Sequence, residues 1–559
     1  MPRIVLKAGS RPPWVGLAAA IWVQTSAGNA YTFPLYSAAL KSVLGFSQGQ
    51  VTILGVANDF GESFGLLPGF ACNKLPPWAI LATGAIFCFL GYGVIWLAVG
   101  RTVSGVPYWL LWLALLVASN SNAWFGTAVL VTNMRNFPLS RGTVSGIVKG
   151  YVGLAASVYT VLYNTVLGET AKNLLLFLAI GIPAVCFSMM YFIRPCTPAL
   201  EEEDYHHYHF LFTQALSVIL GVYLLLAAVL NDLLQLPSSV TYTFVAIMFA
   251  LMLSPLAIPL KMTLFPGKKT KEPSSSDPNL LASGEGQLAE PLLTPSSSAL
   301  NLGNVDNGEA SDMETLLAVG EGAIKKRRRP RRGEDFKCSE ALVKADFWLL
   351  WLVYFCGVGS GVTVLNNLAQ IGTAFGVNDT TILLAIFGFC NFVGRLGSGA
   401  VSEYFVRSKM IPRTVWMTLA EVVMLASFIP FAFGFNGVLY AATSLLGLSY
   451  GVLYNSMVPT ASELFGLKHF GIIYNCLLLG NPIGALLFSG FLAGNVYDSE
   501  AEKQGSLSCV GADCFKVTFL VLGGVCAVGI TLSIILTVRV RPVYQMLYSG
   551  GSFRVPQGH

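Results

Sequence analysis

EPSSSDPNL (residues 272–280), TPSSSAL (294–300) and KKRRRPRR (325–332) interrupt a sequence that is otherwise strongly apolar. From about Lys261 to Lys344 the residues are mainly Ser, Pro, Gly and charged types, with few aromatic or branched apolar side chains. Such a segment cannot bury enough apolar surface to offset the entropy that ordering would cost. We therefore expect residues 261–344 to be a disordered basic linker between two apolar halves.

The overall composition is that of a polytopic membrane protein. Of the 559 residues, 54% are hydrophobic and 11% are charged, and the mean hydropathy is +0.63. Soluble domains usually contain about 25% charged residues. The net charge of +5 says little by itself, because in a membrane protein the placement of Lys and Arg carries the information.

Fourteen segments are long and apolar enough to cross a bilayer, since a transmembrane helix needs roughly 20 mostly apolar residues. They divide the chain into a terminal segment (1–13), a six-helix half (14–193), two additional helices (194–260), the linker, a second six-helix half (345–540) and a tail (541–559). The predicted spans are 14–40, 50–71, 78–99, 107–133, 142–167, 172–193, 210–230, 239–260, 346–371, 380–403, 411–433, 437–461, 469–494 and 516–538.

The distribution of basic residues predicts the orientation. An even number of spans puts both termini on one side, and Lys and Arg are concentrated in the loops of that side. We expect both termini to be cytosolic, in a vacuolar, endomembrane or plasma membrane. The basic residues assigned to the cytosolic side include Lys74, Arg135, Arg141, Arg194, Lys261, Arg407, Lys409, Arg413, Lys468, Arg539 and Arg541.

The order of the predicted spans is typical of transporters built from two six-helix halves: six spans are followed by two more, then by the linker and by another six. The segment FCNFVGRLGSGAVSEYF (389–405) resembles the second helix and cytosolic loop of a major facilitator half, with Gly399, Glu403 and Arg407 as approximate matches. The resemblance suggests gating near the cytosolic face. The expected gating or structural residues are Arg395, Glu403, Glu421 and Glu463.

The corresponding loop of the first half, GFACNKLPPW (69–78), departs from the facilitator pattern. Asn73 replaces the usual acid and Lys74 the usual arginine, while Pro76 and Pro77 stand where glycine is common. The usual charge pairing is therefore not expected at this loop.

Four longer blocks resemble the plant nodulin-like membrane proteins, which include proteins called nuclear fusion defective. They are WVGLAAAIWVQTSAGNAYTFPLY (14–36), VANDFGESFGLLPG (56–69), VTNMRNFPLSRGTVSGIVKGYVGL (131–154) and PTASELFGLKHFGIIYN (459–475). The resemblance covers nearly the whole chain outside the linker and implies a major facilitator fold and solute transport. The last block is also similar to oxalate/formate and monocarboxylate transporters, which is a weaker indication of organic anions.

Charged residues inside predicted spans are the main candidates for function. Asp59 and Glu62 lie three residues apart, hence on one helical face, and a carboxylate at membrane depth is costly unless it is paired, protonated or hydrated. We expect these two acids to be a proton-coupling site, with a structural role as the alternative. Lys149 is expected to attract a substrate carboxylate, a role that is also the alternative to gating for Arg395, and Glu421 is expected to form a structural pair.

The facilitator resemblance implies that the first and fourth helices of each half line the cavity. Polar side chains on those helices mark either a hydrated cavity or bonds between helices. The candidate substrate-binding residues are Gln24, Asn29, Tyr31, Asn120, Asn122, Trp124, Asn366, Asn367, Gln370, Tyr454 and Asn455, together with Lys149.

The remaining features concern cysteines and the linker. Cys509 and Cys514 share a loop on the non-cytosolic side and are expected to form a disulfide. Asp312, Leu316 and Leu317 fit an acidic dileucine sorting pattern, so we expect contact with sorting machinery. No metal-ligand spacing and no GxxxxGK[ST] nucleotide loop occurs in the sequence, so neither cofactor, metal, nucleic acid nor enzyme activity is expected.

These observations favour a secondary transporter that moves a small organic anion by alternating access with proton coupling. The expected partners are the solute, protons and the lipid bilayer. Two alternatives remain open at this point. One is a non-transporting membrane scaffold or sensor, and the other is a metal-chelate transporter.

Overall fold

The computed structural model describes residues 11–46, 48–103, 105–196, 204–234, 237–264, 330, 332–377, 381–434, 438–505 and 509–548. In these ranges all regular secondary structure is helical. Both halves belong to one compact unit, formed by residues 1–265 and 332–559. The predicted fold class, an all-α polytopic membrane protein with two six-helix halves and an added helix pair, is confirmed.

In the described part of the first half, six helical spans follow one another, and the first, second and sixth are interrupted. A 3₁₀ turn (Asn29–Thr32) separates α1 from α2, and a π-helical turn (Phe177–Gly181) separates α8 from α9. The helices are α1 (Arg11–Ser26), α2 (Phe33–Leu44), α3 (Gln48–Ser63), α4 (Leu66–Ala71), α5 (Pro77–Val99), α6 (Tyr108–Asn136), α7 (Arg141–Thr165), α8 (Ala171–Leu176) and α9 (Ile182–Met189).

The helix pair and the second half follow. The pair consists of α10 (Asp204–Leu234), α11 (Ser238–Leu253) and α12 (Ala257–Leu264), where α12 continues the span of α11. The second half contains α13 (Cys338–Leu342), α14 (Ala345–Asn366), α15 (Leu368–Ala374), α16 (Thr381–Lys409), α17 (Thr414–Phe433), α18 (Leu439–Phe465), α19 (Phe470–Leu478), α20 (Gly480–Gly484), α21 (Gly494–Lys503) and α22 (Asp513–Tyr548).

Eleven helical segments of the described residues are long and apolar enough to cross a membrane. The other three predicted spans, 14–40, 50–71 and 437–461, are also helical in the structure. Two of them are broken, and the third, α18, contains Ser, Thr and Asn residues and an internal proline. These three spans thus carry many of the candidate polar residues.

The break in the second span has a clear physical cause. The Nδ2 atom of Asn120 donates hydrogen bonds to the carbonyl oxygens of Gly61 and Phe64, at 2.9 and 2.8 Å. These carbonyls lie at the end of α3, where the helix stops, and in a membrane every freed backbone group needs a partner. Asn120 thus stabilises the break, and Gly65 begins the turn into α4.

The two halves meet through close glycine contacts between helices. A Cβ atom on Gly69 of the α4 span would lie 2.8 Å from the carbonyl oxygen of Gly471 in α19. A Cβ on Gly399 in α16 would lie 2.5 Å from the carbonyl oxygen of Gly142 in α7. The second span of each half therefore packs at backbone distance on the fifth span of the other half, as small residues allow in membranes.

The predicted linker boundaries differ from the structure at both ends. Helix α12 continues to Leu264, and the segment that leads into α14 is packed against the second half. There, the amide of Phe336 donates to the carbonyl of Phe465 at 3.0 Å, and Arg332 Nε lies 2.7 Å from Asp346 Oδ2. Composition missed this because the anchors of this polar segment are one buried aromatic, one ion pair and several hydrogen bonds to backbone groups.

Candidate functional site

A small polar cavity of about 30 Å³, counted as space for the centres of water-sized molecules, lies between the two halves. Helices α1, α6 and α7 and the end of α3 line it from the first half, and α16, α18 and α19 line it from the second. A cavity of this size holds one or two water molecules. Its polar lining residues are Gln24, Glu62, Asn122, Thr127, Lys149, Arg395, Tyr454, Tyr474 and Asn475.

One acid and two bases face this cavity. Glu62 lies within electrostatic range of Lys149 and Arg395, and within the described chain no ion pair joins any two of the three. The Lys149 Nζ atom lies 5.3 Å from the ring centroid of Tyr474. Each half contributes one cation, and neither is neutralised by a direct contact with Glu62.

Arg395 is fully buried and held in a fixed orientation. Its Nε donates to Asn391 Oδ1 at 2.9 Å, its Nη1 donates to the carbonyl oxygen of Lys149 at 3.1 Å, and the guanidinium lies 4.2 Å from the ring centroid of Tyr454. Among the described residues Nη2 has no partner of normal hydrogen-bond geometry, although Tyr31 lies beside the guanidinium. Arg395 was predicted to gate the cytosolic face, but the structure places it in the cavity wall.

Two side-chain amides of the cavity wall have no partner in the described residues. Both polar side-chain atoms of Gln24 and of Asn122 are buried and make no hydrogen bond. An unpaired buried amide costs about 1–3 kcal/mol, so such groups normally bond to water or to a ligand. The cavity therefore offers free donors and acceptors as well as charge.

The predicted acid pair is divided between two environments. Glu62 lines the cavity, whereas Asp59 is not part of its wall. Asp59 Oδ2 instead accepts a hydrogen bond of 3.4 Å from Asn366 Nδ2, which joins the two halves at the start of the second half. We retain Glu62 as the acid of the site and assign Asp59 to a contact between the halves.

Several predicted substrate-binding residues make structural contacts instead. Asn29 accepts from Tyr92 Oη at 3.0 Å and donates to Ser121 Oγ at 3.2 Å, so it joins three helices of the first half. Trp124 Nε1 donates to Asn120 Oδ1 at 3.0 Å, which holds the amide that stabilises the broken second span.

The second half shows the same pattern. Asn455 Nδ2 donates to Ser398 Oγ at 3.1 Å, and Asn367 Nδ2 donates to Ser489 Oγ at 2.9 Å. Gln370 is exposed. None of these residues lines the cavity, which corrects the prediction for Asn29, Asn120, Trp124, Asn366, Asn367, Gln370 and Asn455.

Three polar lining residues were missed by the sequence analysis: Thr127, Tyr474 and Asn475. Asn475 Nδ2 donates to Thr127 Oγ1 at 2.9 Å, a direct hydrogen bond between the halves. A signal was present, because Gly471-Ile-Ile-Tyr474 in α19 matches Gly146-Ile-Val-Lys149 in α7. The fifth span of each half therefore brings an equivalent position to the cavity.

A polar network closes the predicted cytosolic side of the interface. Glu403 Oε2 accepts from the Gly142 amide and from Arg413 Nη2, both at 2.8 Å, and Glu403 Oε1 accepts from Arg407 Nε at 3.1 Å. Arg413 also donates from Nε and Nη2 to Glu463 Oε1, at 2.9 and 2.8 Å. Glu403 thus bonds both halves at once, and its gating role stays a prediction.

Two further contacts extend this closure. Arg135 Nη2 donates to the carbonyls of Leu467 and Lys468, at 3.1 and 2.9 Å, and to Asn73 Oδ1 at 3.0 Å. The facilitator pattern has an acid at this position of the loop. Here the side-chain oxygen of Asn73 takes its place and accepts a hydrogen bond from Arg135. At the end of α22, Tyr548 Oη donates to Glu463 Oε1 at 2.9 Å.

Glu421 does not have the structural partner that was expected. It is fully buried, and in the described chain neither carboxylate oxygen makes a hydrogen bond. A Cβ on Gly529 of α22 would lie 2.5 Å from Glu421 Oε1, so the acid occupies space left by a glycine on the neighbouring helix. The prediction of a pair at Glu421 is therefore wrong.

The other predicted features lie apart from the cavity. Cys509 and Cys514 are joined by a disulfide, with a Cα–Cα distance of 5.8 Å. Asp312, Leu316 and Leu317 lie outside the described residues. The described ranges contain no group of three or more His, Cys, Asp or Glu side chains arranged to hold a metal ion.

Comparison with known proteins gives matches along both halves. A family model described as Nodulin-like matches residues 13–260, and one described as NFD4, C-terminal domain, matches residues 334–546. The Arabidopsis thaliana protein NUCLEAR FUSION DEFECTIVE 4 is 30% identical over 96% of this chain and 90% of its own length. An uncharacterized membrane protein of Saccharomyces cerevisiae is 21% identical over 89% of this chain and 90% of that protein.

Two similarities involve proteins with transport in their names. A protein of Yarrowia lipolytica named Probable transporter MCH1 is 29% identical over 31% of this chain and 38% of that protein. The solved structure of the Escherichia coli fucose:proton symporter FucP covers 94% of this chain and 98% of that chain, at 13% identity and a TM-score of 0.46.

Proposed function

Because the chain belongs to the nodulin-like family of membrane proteins, we propose that it is a secondary active transporter. It moves a small organic anion through the membrane by alternating access, and it couples this movement to protons. The bias of Lys and Arg supports an orientation with both termini in the cytosol.

The cavity between the halves is the observation that carries this proposal. Lys149 and Arg395 provide positive charge from opposite halves, and Gln24 and Asn122 provide unpaired amides. Arginine binds carboxylates in a two-pronged geometry, whereas lysine acts as a point charge. A carboxylate between them would contact both halves, so its binding would depend on how the halves are arranged.

Glu62 gives a physical reason for proton coupling. An ionised Glu62 and an anionic substrate would compete for the same two cations, and their like charges would repel in a site of low dielectric constant. Protonation of Glu62 removes this repulsion and leaves both cations for the substrate. The anion and the proton would therefore bind together and cross together.

The closed network on the predicted cytosolic side supports alternating access. Arg413 and Glu463 are fully buried there, and Glu403 joins them to the amide of Gly142 in the other half. Release of a solute to that side requires these bonds to open. They must therefore be replaced by others, because an unpaired buried charge is costly.

The test is uptake into proteoliposomes of small carboxylates, with and without an inward proton gradient. We expect Glu62→Gln to abolish gradient-driven uptake while counterflow persists. Asp59→Asn is the matched control, because Asp59 lies outside the cavity wall, and it should retain the response to the gradient. Intact gradient-driven uptake by Glu62→Gln would remove this acid from the mechanism.

A second variant tests substrate recognition separately. Lys149→Met should raise the half-saturating concentration of a carboxylate about 10- to 140-fold, since a charged hydrogen bond contributes about 1.5–3 kcal/mol. An unchanged half-saturating concentration would exclude direct contact with Lys149. Absence of flux for every carboxylate and metal chelate tested would favour the scaffold alternative.

A further inference from the structure

Two thiols lie next to each other where the segment after the linker packs against the second half. Cys338 is in α13 and Cys476 is in α19, and their Sγ atoms are 3.8 Å apart. Both are free and partly exposed. The two residues are far apart in sequence, so their proximity results from the docking of α13 on α19.

We propose that Cys338 and Cys476 form a reversible disulfide under oxidation by peroxide, and that this bond fastens α13 to the helix that carries Tyr474 and Asn475 into the cavity. The effect on transport rests on the proposed function, whereas formation of the bond does not. The modification site would make transport respond to the redox state of the predicted cytosolic side.

The geometry is close to that of a disulfide. A disulfide bond is about 2.05 Å long, so the sulfur atoms would need to approach by roughly 1.8 Å. Cys338 lies in a short helix that follows an extended segment, with Lys337 in an extended backbone conformation. A rotamer change with a small shift of α13 can therefore close the gap without disturbing the long helices.

The chemistry favours Cys338 as the first residue to react. The hydrogen bond with Cys476 lowers the pKa of the Cys338 thiol to about 7, and the thiolate is the reactive form. Hydrogen peroxide converts this thiolate to a sulfenic acid, with release of hydroxide. The Cys476 thiol then attacks the sulfenic sulfur, so that an S–S bond forms and water leaves. In total, two thiols and one peroxide give one disulfide and two waters.

The bond would restrain a helix that contacts both halves. Helix α19 packs on the α4 span through Gly471 and Gly69, and Asn475 bonds to Thr127 in the first half. Phe336, just before α13, is bonded to the end of α18. A covalent link at Cys476 would therefore tie α19 to α18 through α13 and hinder movement of α19 relative to the rest of the second half.

The test uses the full-length protein in proteoliposomes treated with hydrogen peroxide and then with dithiothreitol. Peptide mapping should find a disulfide between Cys338 and Cys476 that dithiothreitol removes. Uptake should be lost with the bond and recovered with its reduction. Cys338→Ser should keep its uptake in peroxide, whereas Cys196→Ser, which removes another partly exposed thiol, should respond like the wild type.

The possible results separate three claims: that the disulfide forms, that it restrains α19, and that the protein transports a solute. If both thiols stay open to alkylation after peroxide treatment, the modification site does not exist. If the disulfide forms while uptake is unchanged, the restraint on α19 is refuted. If the reduced protein transports none of the solutes, the proposed function fails, while the peptide map still decides on the disulfide.

Discussion

Replacing Glu403 by Gln is expected to weaken the closed contact between the halves on the predicted cytosolic side. The carboxylate accepts bonds from the Gly142 amide, Arg413 and Arg407. A glutamine side chain has one acceptor oxygen and one NH₂ donor. In either orientation its NH₂ group faces an N–H donor, so at least one of the three bonds is lost.

The size of the effect follows from the bonds that change. Hydrogen bonds to a charged group contribute about 1.5–3 kcal/mol, and neutral ones about 0.5–1.5 kcal/mol. The bond to Arg407 contributes near the low end of the range for charged bonds, because that side chain is 36% exposed and solvent screens the interaction. Losing one bond and weakening the others costs about 2–4 kcal/mol, which shifts the closed-to-open ratio about 30- to 700-fold.

Hydrogen–deuterium exchange followed by mass spectrometry can measure this shift. The exchange rate of a protected amide is proportional to the population of the open form, so peptides that contain Gly142 should exchange faster by the factor given above. Glu500→Gln is the matched control. It removes an exposed pair with Lys503, which is expected to contribute only about 0–1 kcal/mol, and exchange at Gly142 should not change.

A folded Glu403→Gln protein with wild-type exchange at the start of α7 would refute the reasoning. Such a result would mean that Gly142 is protected by helix packing alone. The close packing of Gly142 against Gly399 would then be the main contact that holds the two halves together on this side. The ion pairs would contribute little to that contact.

Two further predictions concern packing. Gly399→Ala should lower the free energy of unfolding in detergent by about 1–3 kcal/mol, because its Cβ would overlap the backbone of Gly142; Gly397→Ala, in the same helix with open space around its Cβ, should be neutral or slightly stabilising. Glu421→Leu should leave the thermal midpoint unchanged or raise it, because it removes a buried acid without a partner; a clear drop in the midpoint would reveal a partner in another conformational state.

The sequence was sufficient for the class and for two of the three charged residues of the cavity. Composition predicted a membrane protein, and Glu62 and Lys149 were found because charges are rare inside spans. Gln24 and Asn122 were also predicted, and the structure places both in the wall of the cavity. Each of these predictions depends only on how deep the residue lies in the membrane along its own helix, and not on the neighbouring helices.

The role of the other polar residues depends on what neighbouring helices do. Asn120 and Asn122 are two residues apart and look equivalent in the sequence, yet one bonds the broken end of α3 and the other faces the cavity. The difference comes from the break at Phe64, which composition does not reveal. Tyr474 reaches the cavity where glycines let α19 approach the first half, and in the sequence only its match to the position of Lys149 indicates this.

The bond from Tyr548 to Glu463 affects how shortened forms of this protein should be interpreted. Tyr548 is at the end of α22, near the carboxyl end of the chain, yet its hydroxyl contacts the same carboxylate oxygen as Arg413. A premature stop codon shortly before Tyr548 would remove a donor from the closed face while sparing every predicted span. A mutant phenotype from such an allele would then reflect altered opening of the protein, and would not by itself show a defect in insertion or delivery.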